Sequence, residues 1–271
     1  VPEGHTLHRI ALAHTGTYAG HRVRADSPQG RFVEGAARID GRTLERVDAY
    51  GKHLLYGFDG LDEALHIHLG LYGKFREGAL PPPEPRGAVR LRLQGDGHWT
   101  ELRGATAVEL LTPPEQDALL ARLGPDPLRG DADSRVFVAA VARSRAPVGG
   151  ILMDQTKIAG VGNVYRAEVL FRAGLDPYLP GREVAEPALD ALWDDIRTLM
   201  KAGVRSGRIV TTRPVDRGRA GRARREDAHY VYRRAGLPCR VCGTAVRRAE
   251  MAGRNLFWCE VCQPRRLASP G

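Results

Sequence analysis

Hydrophobic and polar positions change their period along the chain. Near the start, Leu7, Ile10, Ala11 and His14 recur at helical spacing. They predict a helix over 2–15, with Pro2 in the first turn, where a missing N–H costs nothing. From Tyr18 to Leu111 the apolar segments are short and are broken by Gly, Pro and Asp: His53 to Phe58, Ala64 to Leu69, Val89 to Leu93, Ala107 to Leu111. The run Pro81 to Pro85 reads as a loop between strands. Many strands and few helical signals predict an antiparallel two-sheet sandwich. After Thr112-Pro113-Pro114 and Pro125-Asp126-Pro127 the pattern turns helical. Asp133 or Ser134 caps a helix through about Ala142, and a short turn begins near Pro147. A third helix spans 163–173, with Val164, Ala167, Val169, Leu170 and Phe171 on its apolar side. A fourth spans 185–202, with Leu189, Leu192, Trp193, Ile196 and Leu199 at core spacing. No internal repeat is visible. An α+β multidomain chain is expected: a sandwich over 1–118, a linker over 119–130, a helical domain over 131–227 and a small module over 228–267.

That last module holds every cysteine of the chain, as Cys239-x2-Cys242 and Cys259-x2-Cys262, sixteen residues apart. Two such knuckles can present four thiolates to one tetrahedral Zn²⁺; two disulfides or four free thiols are the plainer readings. No run of about 18 apolar residues suggests a membrane span, and no apolar leader opens the sequence. A cytoplasmic, nucleoid-associated protein is expected, and reduced cysteines at this spacing favour structural zinc. Four protein ligands leave no open position, so the metal would stabilise the fold and not activate water.

Charge sharpens the picture. The net charge is +9, but residues 201–271 hold 17 Lys and Arg against 5 Asp and Glu, whereas the first 200 hold 24 against 27. A localised surplus is the footprint of a polyanionic partner, the alternative being a merely solvated basic face. The tract Arg213 to Arg225, with Pro214, Gly218 and Gly221, reads as a mobile basic loop. Lysines are few: Lys52, Lys74, Lys157 and Lys201. In an arginine-biased chain they hint at places that want a compact ammonium. The segment Gln155 to Tyr165 carries Gly160, Gly162 and Asn163 just before a helix. Glycines permit close approach, and amide donors at a helix start favour an anion, Lys157 lying in the same turn; an ordinary tight turn between helices is the alternative.

Together, the Pro2-Glu3-Gly4 opening, the stretch Gln155 to Tyr165 and the four-cysteine spacing resemble the formamidopyrimidine-DNA glycosylase/endonuclease VIII family. The resemblance runs through the whole chain in order, and Pro2-Glu3-Gly4-His5-Thr6 looks more like the endonuclease VIII side, especially its actinobacterial-type members. It implies a helix-two-turn-helix element, a β-hairpin zinc finger, and a bifunctional DNA glycosylase/AP lyase of base excision repair. A neutral imino nitrogen at an N-terminal proline can attack the sugar C1′, and an α-amino group titrates near neutrality, at about 7.7–8.0. By resemblance Glu3 polarises or protonates the sugar ring oxygen and shuttles protons, its plain alternative being a complement to the helix N-terminus. Lys52, otherwise a surface strand lysine, matches the lysine that contacts the phosphate beside the lesion. Arg254 matches the finger-tip arginine that clamps phosphate, and Asn163 its partner. Leu71 and Tyr72 fall where the family places void-filling side chains, or else belong to the sandwich core. Arg103 is a further candidate to intercalate or face the opposing base.

The sequence departs from the family pattern at two places. Val1 precedes Pro2, and an acylated proline nitrogen cannot attack; the expectation is a nonstandard start codon, with the initiator trimmed to leave Pro2 first. Thr6 stands where several members carry a second glutamate. The expected substrate is damaged or abasic duplex DNA, with bubble or single-stranded DNA as further possibilities, bound by a monomer between the sandwich and the helical-plus-finger half. Oxidised pyrimidines are favoured. The alternatives are oxidised purines by the same mechanism, a non-catalytic zinc-finger DNA-binding protein, and a zinc-ribbon RNA-processing factor.

Overall fold

The computed structural model describes residues 2–218 and 221–265. Val1, Arg219, Ala220 and 266–271 lie outside the described residues, and with them the expectation about Val1, part of the basic tract and the end of the expected 228–267 module. The chain forms two compact units, Val1–Arg122 and Leu123–Gly271.

Unit 1 runs α1 (Gly4–Tyr18), β1 (Arg24–Asp26), α2 (Val33–Ile39), β2 (Leu44–Tyr50), β3 (His53–Phe58), β4 (Leu61–His68), β5 (Lys74–Ala79), β6 (Val89–Gly95), β7 (His98–Arg103), β8 (Ala107–Leu111) and α3 (Pro113–Ala121). The strands make two antiparallel four-stranded sheets, ordered β1-β6-β7-β5 and β2-β3-β4-β8. One apolar cluster joins them: Leu54 and Ile67 from one sheet, Leu91 and Leu102 from the other, Leu7 and Tyr18 from α1. Strand β3 is buried from Leu54 to Phe58, and α3 packs against β4 and β8.

Three expectations change. Helix α1 starts at Gly4 with Glu3 as its cap residue, so Pro2 precedes the helix instead of sitting in its first turn, and the helix continues to Tyr18. There the buried Tyr18 hydroxyl donates to Thr100 Oγ1 at 3.0 Å. Helix α2 interrupts the strands. Helix α3 begins where Pro113-Pro114 looked like a break: Thr112 and Glu115 form a capping box and the prolines occupy the first turn, where no N–H is needed.

Unit 2 contains α4 (Ser134–Ala142), α5 (Val148–Ile151), α6 (Asn163–Arg172), α7 (Glu186–Ser206), short 3₁₀ turns at Gly181–Glu183 and Pro214–Arg217, and the hairpin β9 (Arg247–Met251) and β10 (Arg254–Trp258). Asp133 caps α4, its carboxylate accepting from Arg135 N at 2.9 Å. The amphipathic α7 lays Leu189, Leu192, Trp193 and Ile196 against Phe137, Val141 and Leu170 and stops at Gly207, whose φ of 69° is the left-handed conformation glycine tolerates. Every residue of α6 from Val164 to Phe171 is buried. Tyr165, Val169 and Leu170 join the helical core, while Val164, Ala167 and Phe171 join Tyr230, Val231, Tyr232, Val246 and Phe257 of the finger. Thus one helix serves two cores.

Candidate functional site

At the head of unit 1, Pro2 leads into the extended backbone of Glu3, whose residue is fully buried and whose side chain makes no capping hydrogen bond. A carboxylate here faces the positive end of a 15-residue helix. His5, the second residue of the helix, is also buried, and burial pulls its pKa down to about 4, so it is neutral at pH 7.

Lys52 sits at the tip of the β2–β3 hairpin. Tyr50 and His53 pair across the strands, leaving Gly51-Lys52 as a two-residue loop. Gly51 has φ 58° while Lys52 does not enter the left-handed region, the signature of a type II′ turn. The glycine is therefore required, and the hairpin sets where Lys52 is presented.

Leu71 and Tyr72 do not belong to the sandwich core: they are 45% and 82% exposed in the β4–β5 loop. The loop is shaped by close approaches. A Cβ on Gly70 would lie 1.9 Å from Thr106 Oγ1, one on Gly73 2.2 Å from Leu69 O, and one on Gly104 2.8 Å from Tyr72 O. Two large apolar side chains are thus carried outward on a stiff support. Arg103 is engaged: its guanidinium donates to Glu101 Oε2 at 2.6 Å, and Arg92 donates to Oε1 at 2.7 Å. Glu101 is fully buried; burial would raise its pKa, but the two guanidiniums outweigh it and hold the carboxyl below the usual range.

In unit 2 the turn before α6 is braced by one side chain. Gln155 Nε2 donates to Val161 O at 2.9 Å, and its Oε1 accepts from Gly160 N at 3.0 Å. Gly160 has φ 89°, so the turn needs a glycine there. Lys157 is half-buried in this turn. Asn163 opens α6; its Nδ2 donates to Asn255 O at 2.9 Å and its Oδ1 accepts from Arg166. This ties the turn to the finger hairpin. At the hairpin tip Ala252 and Gly253 have φ 54° and 66°, a type I′ turn, and the exposed Arg254 follows, donating to Gly253 O at 2.9 Å.

Sequence reasoning missed two residues that hold this arrangement. Arg166 and Glu168 are fully buried on α6. Arg166 donates to Met251 O at 3.1 Å, gripping the hairpin end. Glu168 accepts from Tyr230 N at 2.7 Å and from Val231 N and Tyr232 N at 2.8 Å each, besides the Thr211 hydroxyl. Three consecutive backbone donors on one carboxylate fix the chain as it enters the finger. A signal existed: both charges lie within a helix whose other positions are nearly all apolar.

The four cysteine sulfurs lie within 4.8 Å of one another, with Cys239–Cys262 at 3.8 Å and Cys242–Cys259 at 3.5 Å. A disulfide needs about 2.05 Å. Zinc–sulfur bonds of about 2.3 Å in a tetrahedron put sulfurs roughly 3.8 Å apart. The donor set fits one structural zinc ion, held by Cys239, Cys242, Cys259 and Cys262. Among the described residues no helix is long and apolar enough to cross a membrane.

Family comparisons agree with this anatomy. Residues 1–107 match the formamidopyrimidine-DNA glycosylase N-terminal domain, 123–214 the formamidopyrimidine-DNA glycosylase H2TH domain, and 236–265 the zinc finger found in FPG and IleRS. The chain is 50% identical to Endonuclease 8 1 of Mycobacterium tuberculosis, covering 97% of this chain and 100% of that one. The MutM (Fpg) structure from Thermus thermophilus is 30% identical, with TM-score 0.77 over 97% of this chain and 98% of that one. A Lactococcus lactis Fpg (MutM) structure, in complex with DNA containing N7-benzyl-Fapy-dG, shares the fold at 23% identity, with TM-score 0.79 over 97% and 100% of the two chains. The higher identity to the endonuclease 8 relative agrees with the reading of the opening motif. The chain belongs to the formamidopyrimidine-DNA glycosylase/endonuclease VIII family.

Proposed function

We propose that this chain, once it begins at Pro2, excises an oxidised base from DNA and then cleaves the strand at the resulting site. The activity is that of its family, a DNA glycosylase/AP lyase of base excision repair. The observation that carries the residue assignment is the placement of Pro2 directly before Glu3, a buried carboxyl group at the head of α1. The Pro2 nitrogen bonds to C1′ and gives up its proton, and the damaged base leaves with the electron pair of the glycosidic bond and takes up a proton. Glu3 protonates the sugar ring oxygen, so the ring opens to an iminium. The iminium acidifies the 2′ proton; its removal expels the 3′ phosphate, a second elimination expels the 5′ phosphate, and water releases the proline.

In this reading Lys52 binds the phosphate beside the lesion, and Arg254, Asn163 and Lys157 bind the backbone from unit 2. Leu71 and Tyr72 fill the gap left by the extruded nucleotide, their exposure being what a wedge needs. Arg103 would face the opposing base only after release from Glu101. Domain limits at 118, 130 and 227, a monomeric state, and work in the cytoplasm at the nucleoid belong to the same proposal. Oxidised pyrimidines are the favoured substrates, because the chain stands nearer an endonuclease 8 relative than an Fpg one.

Borohydride trapping on an abasic duplex tests the chemistry. Protein starting at Pro2 should give a covalent adduct; Pro2→Gly, or protein with Val1 retained, should lose it or nearly so. Undiminished trapping with the nitrogen capped would overturn the mechanism. Base release from duplexes, bubbles and single strands carrying different oxidised bases ranks the substrates; preference for oxidised purines would replace the pyrimidine assignment.

A further inference from the structure

On the face of the β2-β3-β4-β8 sheet away from the sandwich core, polar side chains line up across three strands. His53 opposes His68 between β3 and β4, and His66 opposes Glu109 between β4 and β8. One contact follows that register, and the other, between His53 and His66, is diagonal to it. Glu109 Oε1 lies 2.9 Å from His66 Nδ1, and His66 Nε2 lies 2.9 Å from His53 Nδ1. The His53 and His66 rings stack 5.1 Å apart at 24°. These groups border a cavity of about 380 Å³, which Leu119 and Arg122 help to line.

With both rings neutral, one arrangement of protons satisfies all three groups. A carboxylate only accepts, so His66 Nδ1 carries hydrogen and donates to Glu109. In a neutral ring His66 Nε2 is then the acceptor, and His53 donates from Nδ1. Burial, and then the neighbouring His66, pull the His53 pKa down to about 3, in keeping with a neutral ring. His68, Lys52 and Arg122 add positive charge from the other elements around it, and Glu115 of α3 also lines the cavity. A shared metal is a poor alternative. Among the described residues only the four cysteines form a group of three or more ligands that could hold a metal ion.

The chain of bonds ends beside the Lys52 turn. His53 is the first residue of β3 and closes the Gly51-Lys52 loop by pairing with Tyr50. We propose that Glu109, His66 and His53 are positioning residues: a hydrogen-bonded relay that anchors the β2–β3 hairpin tip from β8 and so aims Lys52 at a DNA phosphate. The inference rests on the phosphate role given to Lys52 above. The relay touches no reacting atom. Its contribution is preorganisation: an ammonium already aimed loses less on binding than one on a wandering turn.

Nitrogen-15 NMR of histidine in the full-length, zinc-loaded protein reads the relay directly: His66 and His53 should each carry hydrogen on Nδ1. Steady-state cleavage of an abasic duplex reads the consequence. Glu109→Ala leaves a half-exposed position and should still fold. It and His53→Leu should raise KM about tenfold, the order of one hydrogen bond's worth, with kcat at saturating DNA unchanged. His53→Asn keeps an N–H where Nδ1 was, and Glu109→Gln keeps an acceptor; both should stay near the parent. Equal behaviour of His53→Leu and His53→Asn, an unaffected Glu109→Ala, or the opposite tautomers would each overturn the relay. Lys52→Ala, run alongside, separates the two ideas. If it leaves KM and salt dependence unchanged while NMR still finds the tautomers, the relay exists but Lys52 is not the phosphate ligand, and the positioning role falls with it.

Discussion

The β2–β3 hairpin turns at Gly51-Lys52 inside a four-stranded sheet, whereas the β9–β10 hairpin has only two strands and turns at Ala252-Gly253 before Arg254. Both carry a cation at a tight, left-handed turn. They reach stiffness differently. The first hairpin backs Leu54 and Tyr56 onto a large shared core. A two-stranded hairpin alone is marginal in water, so the second depends on a zinc ion at its base, on Phe257 packed against α6, and on two buried charges, Arg166 and Glu168. One tip inherits its rigidity from the fold, and the other obtains it from a few strong local bonds.

The largest effect should therefore come from the metal. Chelating zinc, or Cys259→Ser, removes a free energy of binding that is about 10–16 kcal/mol for small zinc modules. The finger should unfold and DNA affinity fall at least about a hundredfold as its phosphate contacts vanish. Fluorescence of Trp258, in β10, should change while that of Trp99, in β7, should not. A zinc-free protein that binds DNA normally would show that the finger is not a grip.

Acid should weaken unit 1 as well. His5 and His14 are buried in unit 1, and burial lowers both pKa values to about 4, His14 also bonding Tyr56 at 2.8 Å. Between pH 6.5 and 4 the unfolded chain binds more protons at these sites than the folded one. The stability is thus fully present above pH 6.5 and declines as pH falls towards 4, by up to about 3 kcal/mol per histidine. Thermal unfolding of unit 1 followed through Trp99 at pH 7 and pH 4.5 checks the sign; greater stability at the lower pH would contradict it.

Glu168→Gln comes next. It keeps the shape but replaces one acceptor oxygen with an amide that faces backbone donors. A buried donor left without a partner costs about 1–3 kcal/mol. The loss should appear as a lower melting temperature of the finger, with Trp99 unaffected; no change would mean the 230–232 segment is held otherwise.

What could be read from the chain beforehand divides along the same line. Cys239, Cys242, Cys259 and Cys262 announced the finger because metal ligation demands particular atoms at particular spacing. The helices carrying Leu189 to Ile196 and Val164 to Phe171 announced themselves by period. Helix α3 was legible in principle, since Thr112 and Glu115 spell a capping box, but two prolines looked like an end instead of a beginning. Short α2 had too few turns to set a period. Arg166 and Glu168 stand out as charges in an otherwise apolar α6, but which backbone groups they bind is set only by the finger packed against the helix. The relay of His53, His66 and Glu109 was invisible for a related reason: its members are neighbours only across strand register, which depends on which strands pair.

Arg254→Ala tests the finger tip itself. Removing one phosphate contact should weaken binding at every DNA sequence alike and lower the slope of log affinity against log salt by about one. An unchanged slope would remove Arg254 from the DNA contacts and leave the tip without a role.

The smallest effect is the most direct comparison of the two turns. Gly51 and Ala252 both hold positive φ, 58° and 54°, but only one is glycine. An L-residue in this region carries strain of roughly 1–2 kcal/mol, partly offset by the smaller entropy it loses on folding. Gly51→Ala should then destabilise unit 1 by at least about 1 kcal/mol, since a type II′ turn favours glycine at its first position, and Ala252→Gly should leave the finger no less stable and gain at most about 1 kcal/mol. The functional readings should diverge even so. The finger turn is held at Met251 O and Asn255 O by Arg166 and Asn163, so relaxing its backbone should barely change DNA affinity. If Ala252→Gly instead weakens binding while raising stability, the strain at Ala252 itself aims Arg254, and the local bonds from α6 are not sufficient to do so.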